Sequence, residues 1–273
     1  HVKKVSEIKH NSFREIIKYL KYDKTNLEVI HSADLPALSG LGASSSSTVC
    51  LLHALNSLSG KFVTKKELAN QALDIEQEIL KEHVGSQDQI AASFGGLNYI
   101  RFYNDLKYQV NPIVNSIKNI EKLQQSLVLV YSGIQRKANN IEKDKTKNFK
   151  VNENHLKRLI DITDEALKLF QGNMNIKDLG ALLDEQWHIK KNLSTKVSNK
   201  IIDEIYFAGK ECGAYGGKLL GAGNGGFFLF LCNTQSEKKL RKKLRNFLFI
   251  PVKFENSGSQ LVYFSRSNIN AIK

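Results

Sequence analysis

The residues best suited to chemistry sit in one run, Asp34-Leu35-Pro36-Ala37-Leu38-Ser39-Gly40-Leu41-Gly42-Ala43-Ser44-Ser45-Ser46-Ser47-Thr48-Val49, a glycine- and serine-rich turn that opens into an apolar helix. Gly40 and Gly42 lack a Cβ, so the backbone there can take positive φ and come close to a ligand. Ser44 to Ser47 stand where the helix begins. At that point the first N–H groups have no internal partner and the dipole favours an anion. The chemistry this suits is phosphate binding. A capped helix uses the same residue types but needs only one Ser and one Gly. Ser39, Gly40, Leu41, Gly42, Ala43, Ser44 and Ser45 are therefore the candidate phosphate cradle.

Three familiar phosphate motifs fail. Gly216-Gly217-Lys218 is followed by Leu219, and Cys212 stands where a P-loop has its first Gly. Gly221-Ala222-Gly223-Asn224-Gly225-Gly226 matches the dinucleotide spacing, but it leads into Phe227-Phe228-Leu229-Phe230-Leu231-Cys232, which reads as a buried strand and not as the helix the fingerprint requires. Neither His-Arg-Asp nor Asp-Phe-Gly occurs, which removes the protein kinases. The second glycine loop, with Gly221, Gly223 and Gly225 as candidate nucleotide contacts, either approaches a nucleotide, braces the first loop, or makes a tight entry to the strand.

Hydrophobic periodicity supplies the elements around these loops. Helices are expected at about 11–20, 45–58, 65–81, 153–171, 176–191 and 199–212, and strands at 26–32, 127–131, 217–220, 227–232, 249–254 and 260–265, with a hairpin over 97–102 and 107–113. Thr64 followed by Glu67 reads as a capping box. Beyond it, Leu68, Ala72, Ile75 and Ile79 trace one apolar face, with Glu76 and Glu78 projecting elsewhere. Leu240, Leu244 and Leu248 keep a helical stripe whose opposite face is lysine-rich. The irregular mixture of strands and helices indicates an α+β chain of two domains, 1–122 and 123–273.

The chain has 273 residues, enough for a sizeable core, and a formal net charge of +13. A basic balance admits a nucleic-acid partner, but the solvated face of the 236–245 helix accounts for much of it. The basic stretch 136–150 reads as a loop or lid. No apolar run approaches the ~20 residues of a membrane helix. Cys50, Cys212 and Cys232 are far apart without Cys-x-x-Cys and read as buried thiols in a reducing cytoplasm. No His-x-x-x-His pair offers metal-ligand spacing.

Taken with Asp74-Ile75-Glu76-Gln77-Glu78-Ile79-Leu80, Val84-Gly85-Ser86-Gln87-Asp88-Gln89, Phe94-Gly95-Gly96 and Tyr131-Ser132-Gly133-Ile134-Gln135-Arg136, the two glycine loops resemble the GHMP kinase superfamily. Within it the sequence is most similar to the D-glycero-D-manno-heptose 7-phosphate kinases, over most of residues 30–232. The resemblance implies a first domain of ribosomal protein S5 domain 2 type and a second of ferredoxin-like type. Members begin with a strand and a Pro-x-Arg-x-x-x-x-Gly-Gly-Gly loop. This sequence starts His1-Val2-Lys3-Lys4, so the first domain is expected to be incomplete at its start. Asn224 stands where the family's third loop usually has glycine, either narrowing the phosphate space or filling a left-handed turn.

The resemblance also implies roles. ATP and Mg²⁺ are the expected cofactors, with Ser44 and Glu78 as metal ligands, although capping and a solvated helix face are the plain readings of those two residues. Asp88 takes the position of the catalytic aspartate, its plain reading being an N-cap. Gln87, Asp88, Ser132, Gly133 and Arg136 are the candidate sugar contacts. The expected activity is phosphorylation of C1 of heptose 7-phosphate to the 1,7-bisphosphate, for nucleotide-heptose and surface polysaccharide synthesis in the cytoplasm. Small-molecule partners, no nucleic acid, no membrane and a possible homodimer go with it. The alternatives are another GHMP kinase, such as a galactokinase-like C1 kinase, or a non-catalytic RNA- or nucleotide-binding module.

Overall fold

A computed structural model of the chain describes residues 1–35, 39–103, 107–135 and 153–265. It contains two compact units. The first takes described residues within His1–Ala37, Gly42–Gly96 and Glu255–Lys273; the second takes those within Leu38–Leu41 and Leu97–Phe254.

The first unit is a helical assembly of α1 (Asn11–Tyr19), α2 (Ala43–Leu58), α3 (Lys65–Leu73) and α4 (Gln87–Phe94). The Thr64–Glu67 capping box forms as expected and starts α3. Ile16, Val49, Leu52, Leu55, Leu68, Ala72 and Ile75 are buried in a common cluster, each large side chain contributing roughly 1.5–3 kcal/mol relative to exposure. Buried Asn56 ties α2 to α3 by donating to Leu52 O (2.8 Å) and to Gln71 Oε1 (2.9 Å).

Two features of this unit depart from the sequence reading. Residues 26–32 and 260–265 form no strand. An apolar run becomes a strand only when another strand pairs with it, and Ile30 and Val262 are 86% and 93% exposed. The long third helix also does not run uniformly. From Asp74 to Ile79 it widens into a π turn, in which Leu80 N–H bonds to Ile75 O five residues back at 2.9 Å. The extra residue leaves Ile79 42% exposed and packs Leu80 on the core instead.

The second unit carries a sheet in the order β4 (Gly216–Leu219), β5 (Phe227–Leu231), β3 (Leu127–Tyr131), β6 (Leu248–Ile250), every neighbouring pair antiparallel. In chain order this is second-third-first-fourth, with helices crossing between the first and second strands and between the third and fourth. That is the ferredoxin-like pattern. The helices are α6 (Glu153–Gln171), α7 (Ile176–Leu193), α8 (Lys200–Glu211) and α9 (Thr234–Lys243). Trp187, Ile202 and Ile205 share a core with Phe228, Phe230, Val128 and Val130, and the Trp187 ring meets Phe228 edge-on at 5.4 Å. A hairpin, β1 (Asn98–Phe102) with β2 (Tyr108–Pro112), and α5 (Ile117–Ser126) complete the unit. The mixture is α+β.

Smaller corrections concern α5, which periodicity did not flag, and Leu248, which is 52% exposed in β6 while Leu240 and Leu244 are buried. Cys50 is exposed, although its apolar neighbours suggested burial; Cys232 is buried as expected.

Candidate active site

The start of α2 leaves its first N–H groups uncapped. Gly42 holds φ 69° at the N-cap, where a Cβ would be strained, and no side chain caps the helix. The first ladder bond runs from Ser46 N–H to Gly42 O (2.9 Å), so the N–H groups of Ala43, Ser44 and Ser45 precede the ladder at the positive end of the dipole. The serines have separate tasks. Ser47 Oγ donates to Ala43 O at 3.0 Å and meets His31 Nε2 at 3.0 Å. Ser45 is buried and donates to Glu76 Oε2 at 2.9 Å, whereas Ser44 is exposed.

Two acidic residues reach this helix start or its underside. Asp88 is not an N-cap: Ser86 holds that place, and Asp88 is the second residue of α4. Its half-buried carboxyl group lies against Gly42, where an added Cβ would come 3.2 Å from Cγ and 3.4 Å from Oδ2. Glu76, in the π turn, is 1% exposed; its Oε2 accepts from Ser45 and from Gln89 Nε2 (2.5 Å), while its buried Oε1 has no hydrogen-bond partner among the described residues. Thr48 Oγ1 and Gln89 Oε1 are likewise buried without partners among the described residues. Glu82 is held above the ordinary carboxylate range by burial first and by the charge of Glu76 second. Glu78 is elsewhere: its side chain is 69% exposed and pairs with Lys81 at 3.3 Å. The buried acid of this segment is thus Glu76, which the sequence reading did not select.

In the second unit the other glycine loop is tied down on several sides. Asn224 N–H donates to Val197 O (2.6 Å), Gly226 N–H to Ile134 O (2.9 Å), and Lys190 Nζ donates to Leu219 O and Gly221 O. Asn224 occupies a left-handed turn, φ 61°, and its Oδ1 accepts from Asn199 at 2.8 Å. Gly226, φ 94°, lies so close to the first loop that a Cβ would stand 2.1 Å from Ser39 O. Here the absence of a side chain lets two backbones touch. Ser132 is buried, its N–H donating to Gly226 O at 2.9 Å; Gly133 and Gln135 are exposed. In the first unit Gln87 is exposed beside Asp88. Arg136 and the basic stretch after it lie outside the described residues.

The chain matches the family models "GHMP kinases N terminal domain" over residues 11–96 and "GHMP kinases C terminal" over residues 165–249. It belongs to the GHMP kinase family. It is accordingly an ATP-dependent phosphotransferase with an alcohol acceptor. The D-glycero-alpha-D-manno-heptose 7-phosphate kinase of Campylobacter jejuni is 34% identical over 237 residues, covering 85% of this chain and 69% of that protein. A solved structure titled a putative sugar kinase from Campylobacter jejuni aligns with TM-score 0.68 and 30% identity, covering 92% of this chain and 75% of that one. A D-glycero-D-manno-heptose 1-phosphate kinase from Bacteroides thetaiotaomicron aligns with TM-score 0.63 and 25% identity, covering 93% and 74%. No helix among the described residues is long and apolar enough to cross a membrane.

Proposed function

We propose that this GHMP kinase transfers the γ-phosphoryl group of ATP to the C1 hydroxyl of a D-glycero-D-manno-heptose 7-phosphate, giving the 1,7-bisphosphate, in the cytoplasm and towards nucleotide-activated heptose. The observation that carries the chemistry is the Asp88 carboxylate resting on Gly42 at the start of α2. The choice of sugar is supported by the likeness to the Campylobacter jejuni kinase.

Phosphoryl transfer needs in-line positioning and neutralisation of charge more than covalent help. The N–H groups of Ala43 to Ser45 receive the nucleotide phosphates, with the loop 221–226 bracing the peptide at Ser39. Asp88 accepts the proton of the sugar hydroxyl, or orients that hydroxyl for attack. Gln87, Ser132 and Gly133 remain the sugar contacts, with Arg136 from beyond the described residues. Mg²⁺ suits the oxygens present: a buried carboxylate with one unsatisfied oxygen is what a hard cation in a phosphate site requires. We assign that role to Glu76 in place of Glu78, and keep Ser44 as the second candidate ligand. When bound, the ion screens the charge of the transferring phosphate.

The test is a coupled ATP assay with heptose 7-phosphate, free heptose, galactose and mannose. A clear preference for heptose 7-phosphate is expected. Equal or better turnover of any free sugar overturns the substrate assignment.

A further inference from the structure

The hairpin of the second unit turns an unusual face towards α6. The register pairs Tyr99 with Asn111 and Arg101 with Gln109, and alternation along a strand puts all four side chains on one face. A hairpin normally lays an apolar face on its neighbouring helix. Here the polar face borders an open cavity of about 490 Å³, lined on the other side by Leu167 and Gln171 of α6. That volume lies within the range of small-molecule sites, roughly 300–1,000 Å³. None of the phosphate-loop, glycine-loop, Glu76 or Asp88 residues lines it.

The polar groups are organised and leave donors available. Tyr99 OH donates to Asp164 Oδ1 at 2.7 Å and accepts from Arg101 Nη2 at 2.9 Å, which fixes the guanidinium over the Tyr99 ring, 5.5 Å from its centroid. Gln109 Nε2 donates to Asn111 Oδ1 at 3.1 Å, and Gln109 Oε1 accepts from Tyr103 OH at 3.1 Å. Oriented in this way, Arg101 Nε and Nη1 and the Asn111 amide N–H have no protein partner among the described residues. A held guanidinium with an adjacent carboxamide donor matches the oxygens of a phosphate or carboxylate. Leu167, Pro112 and Ile113 offer an apolar wall to the rest of the molecule.

We propose that this cavity is a second small-molecule site, separate from the catalytic residues, which binds a sugar-sized organic anion by its charged head on Arg101 and Asn111. The site does not depend on which sugar the kinase phosphorylates. Isothermal titration of the intact protein with a hexose 6-phosphate, a hexuronate and inorganic phosphate tests it, the first two separating a phosphate head from a carboxylate one. The tested variants are Arg101→Gln and Asn111→Asp, the second adding a negative charge without changing size. Saturable binding of either sugar anion is expected, weakened about tenfold or more in both variants, while the turnover of ATP and sugar stays at its original rate. The proposal is overturned if none of the anions binds up to about 10 mM, or if binding is undiminished in both variants.

Discussion

Asp88 rests its carboxyl group against Gly42, the left-handed residue at which α2 begins, so that a Cβ on Gly42 would stand 3.2 Å from Asp88 Cγ. Two adverse effects therefore coincide at Gly42→Ala. The φ of 69° costs an L residue roughly 1–2 kcal/mol, and the new methyl group presses on the proposed base. Turnover should fall by about tenfold or more, since small misplacements are costly in catalysis, and the melting temperature should drop by a few degrees. Steady-state kinetics with thermal unfolding checks this; unchanged turnover in a destabilised protein would show that the contact has no catalytic importance.

Asp88→Asn isolates the proton from the packing. The amide keeps the size of the carboxylate but cannot take a proton, so single-turnover transfer should fall on the order of 10²-fold or more. Nucleotide affinity should hold, because the phosphates are assigned to the α2 backbone. Near-normal transfer would leave Asp88 as a structural residue of the first turn of α4.

Glu76 and Glu78 invite a paired comparison. Glu76→Gln removes a buried charge from the oxygens assigned to Mg²⁺ and should raise the metal concentration needed for half-maximal activity by at least about tenfold. Glu78→Gln, at a side chain 69% exposed, should leave that concentration where it was. A titration of activity against Mg²⁺ separates the two; the reverse order would restore Glu78 to the role the resemblance first gave it.

The same pair shows what the sequence could and could not express. The capping box at Thr64 was legible because local chemistry alone determines it, and the strand Phe227–Leu231 because so continuous an apolar run must be buried between paired strands. Glu76 and Glu78 flank the stripe of Leu68, Ala72 and Ile75 on opposite sides, and periodicity does not choose between them. The usable signal was Ala69, seven residues before Glu76 on its side of the helix and fully buried. The π turn was not legible, since an i→i−5 bond has no composition of its own. Residues 26–32 and 260–265 failed as strands for a tertiary reason: apolar alternation describes what a strand can bury, and among the described residues no paired strand covers Ile30 or Val262.

The thiols should differ sharply. Burial pushes Cys232 up to about 12, so that it carries almost no thiolate at mild pH, whereas Cys50 is exposed. Alkylation by iodoacetamide at about pH 8, followed by peptide mass mapping, should modify Cys50 first and leave Cys232 untouched until the protein unfolds. Early loss of Cys232 would mean that the chain just past the end of β5 opens in the native state.

A pH-dependent contribution to stability comes from Glu255. Its carboxylate accepts N–H bonds from Ser257 and Gly258, both at 2.6 Å, while its own carbonyl receives Gly96 N–H at 2.7 Å, so that the turn is fastened to the end of α4. The Ser257 bond, followed by that from Gly258, holds the group below the ordinary carboxylate value of 4.5. Because the folded state prefers the charged form, the stabilisation is present in full above the unfolded value and is lost as pH falls through the lowered folded one. Glu255→Gln should therefore lower the urea midpoint at neutral pH. The difference from the parent protein should shrink once pH drops below 4.5 and vanish when both carboxyl forms are protonated. Urea titrations at a series of pH values give the comparison, and a difference that stayed constant into strong acid would show that the turn is held by its backbone alone.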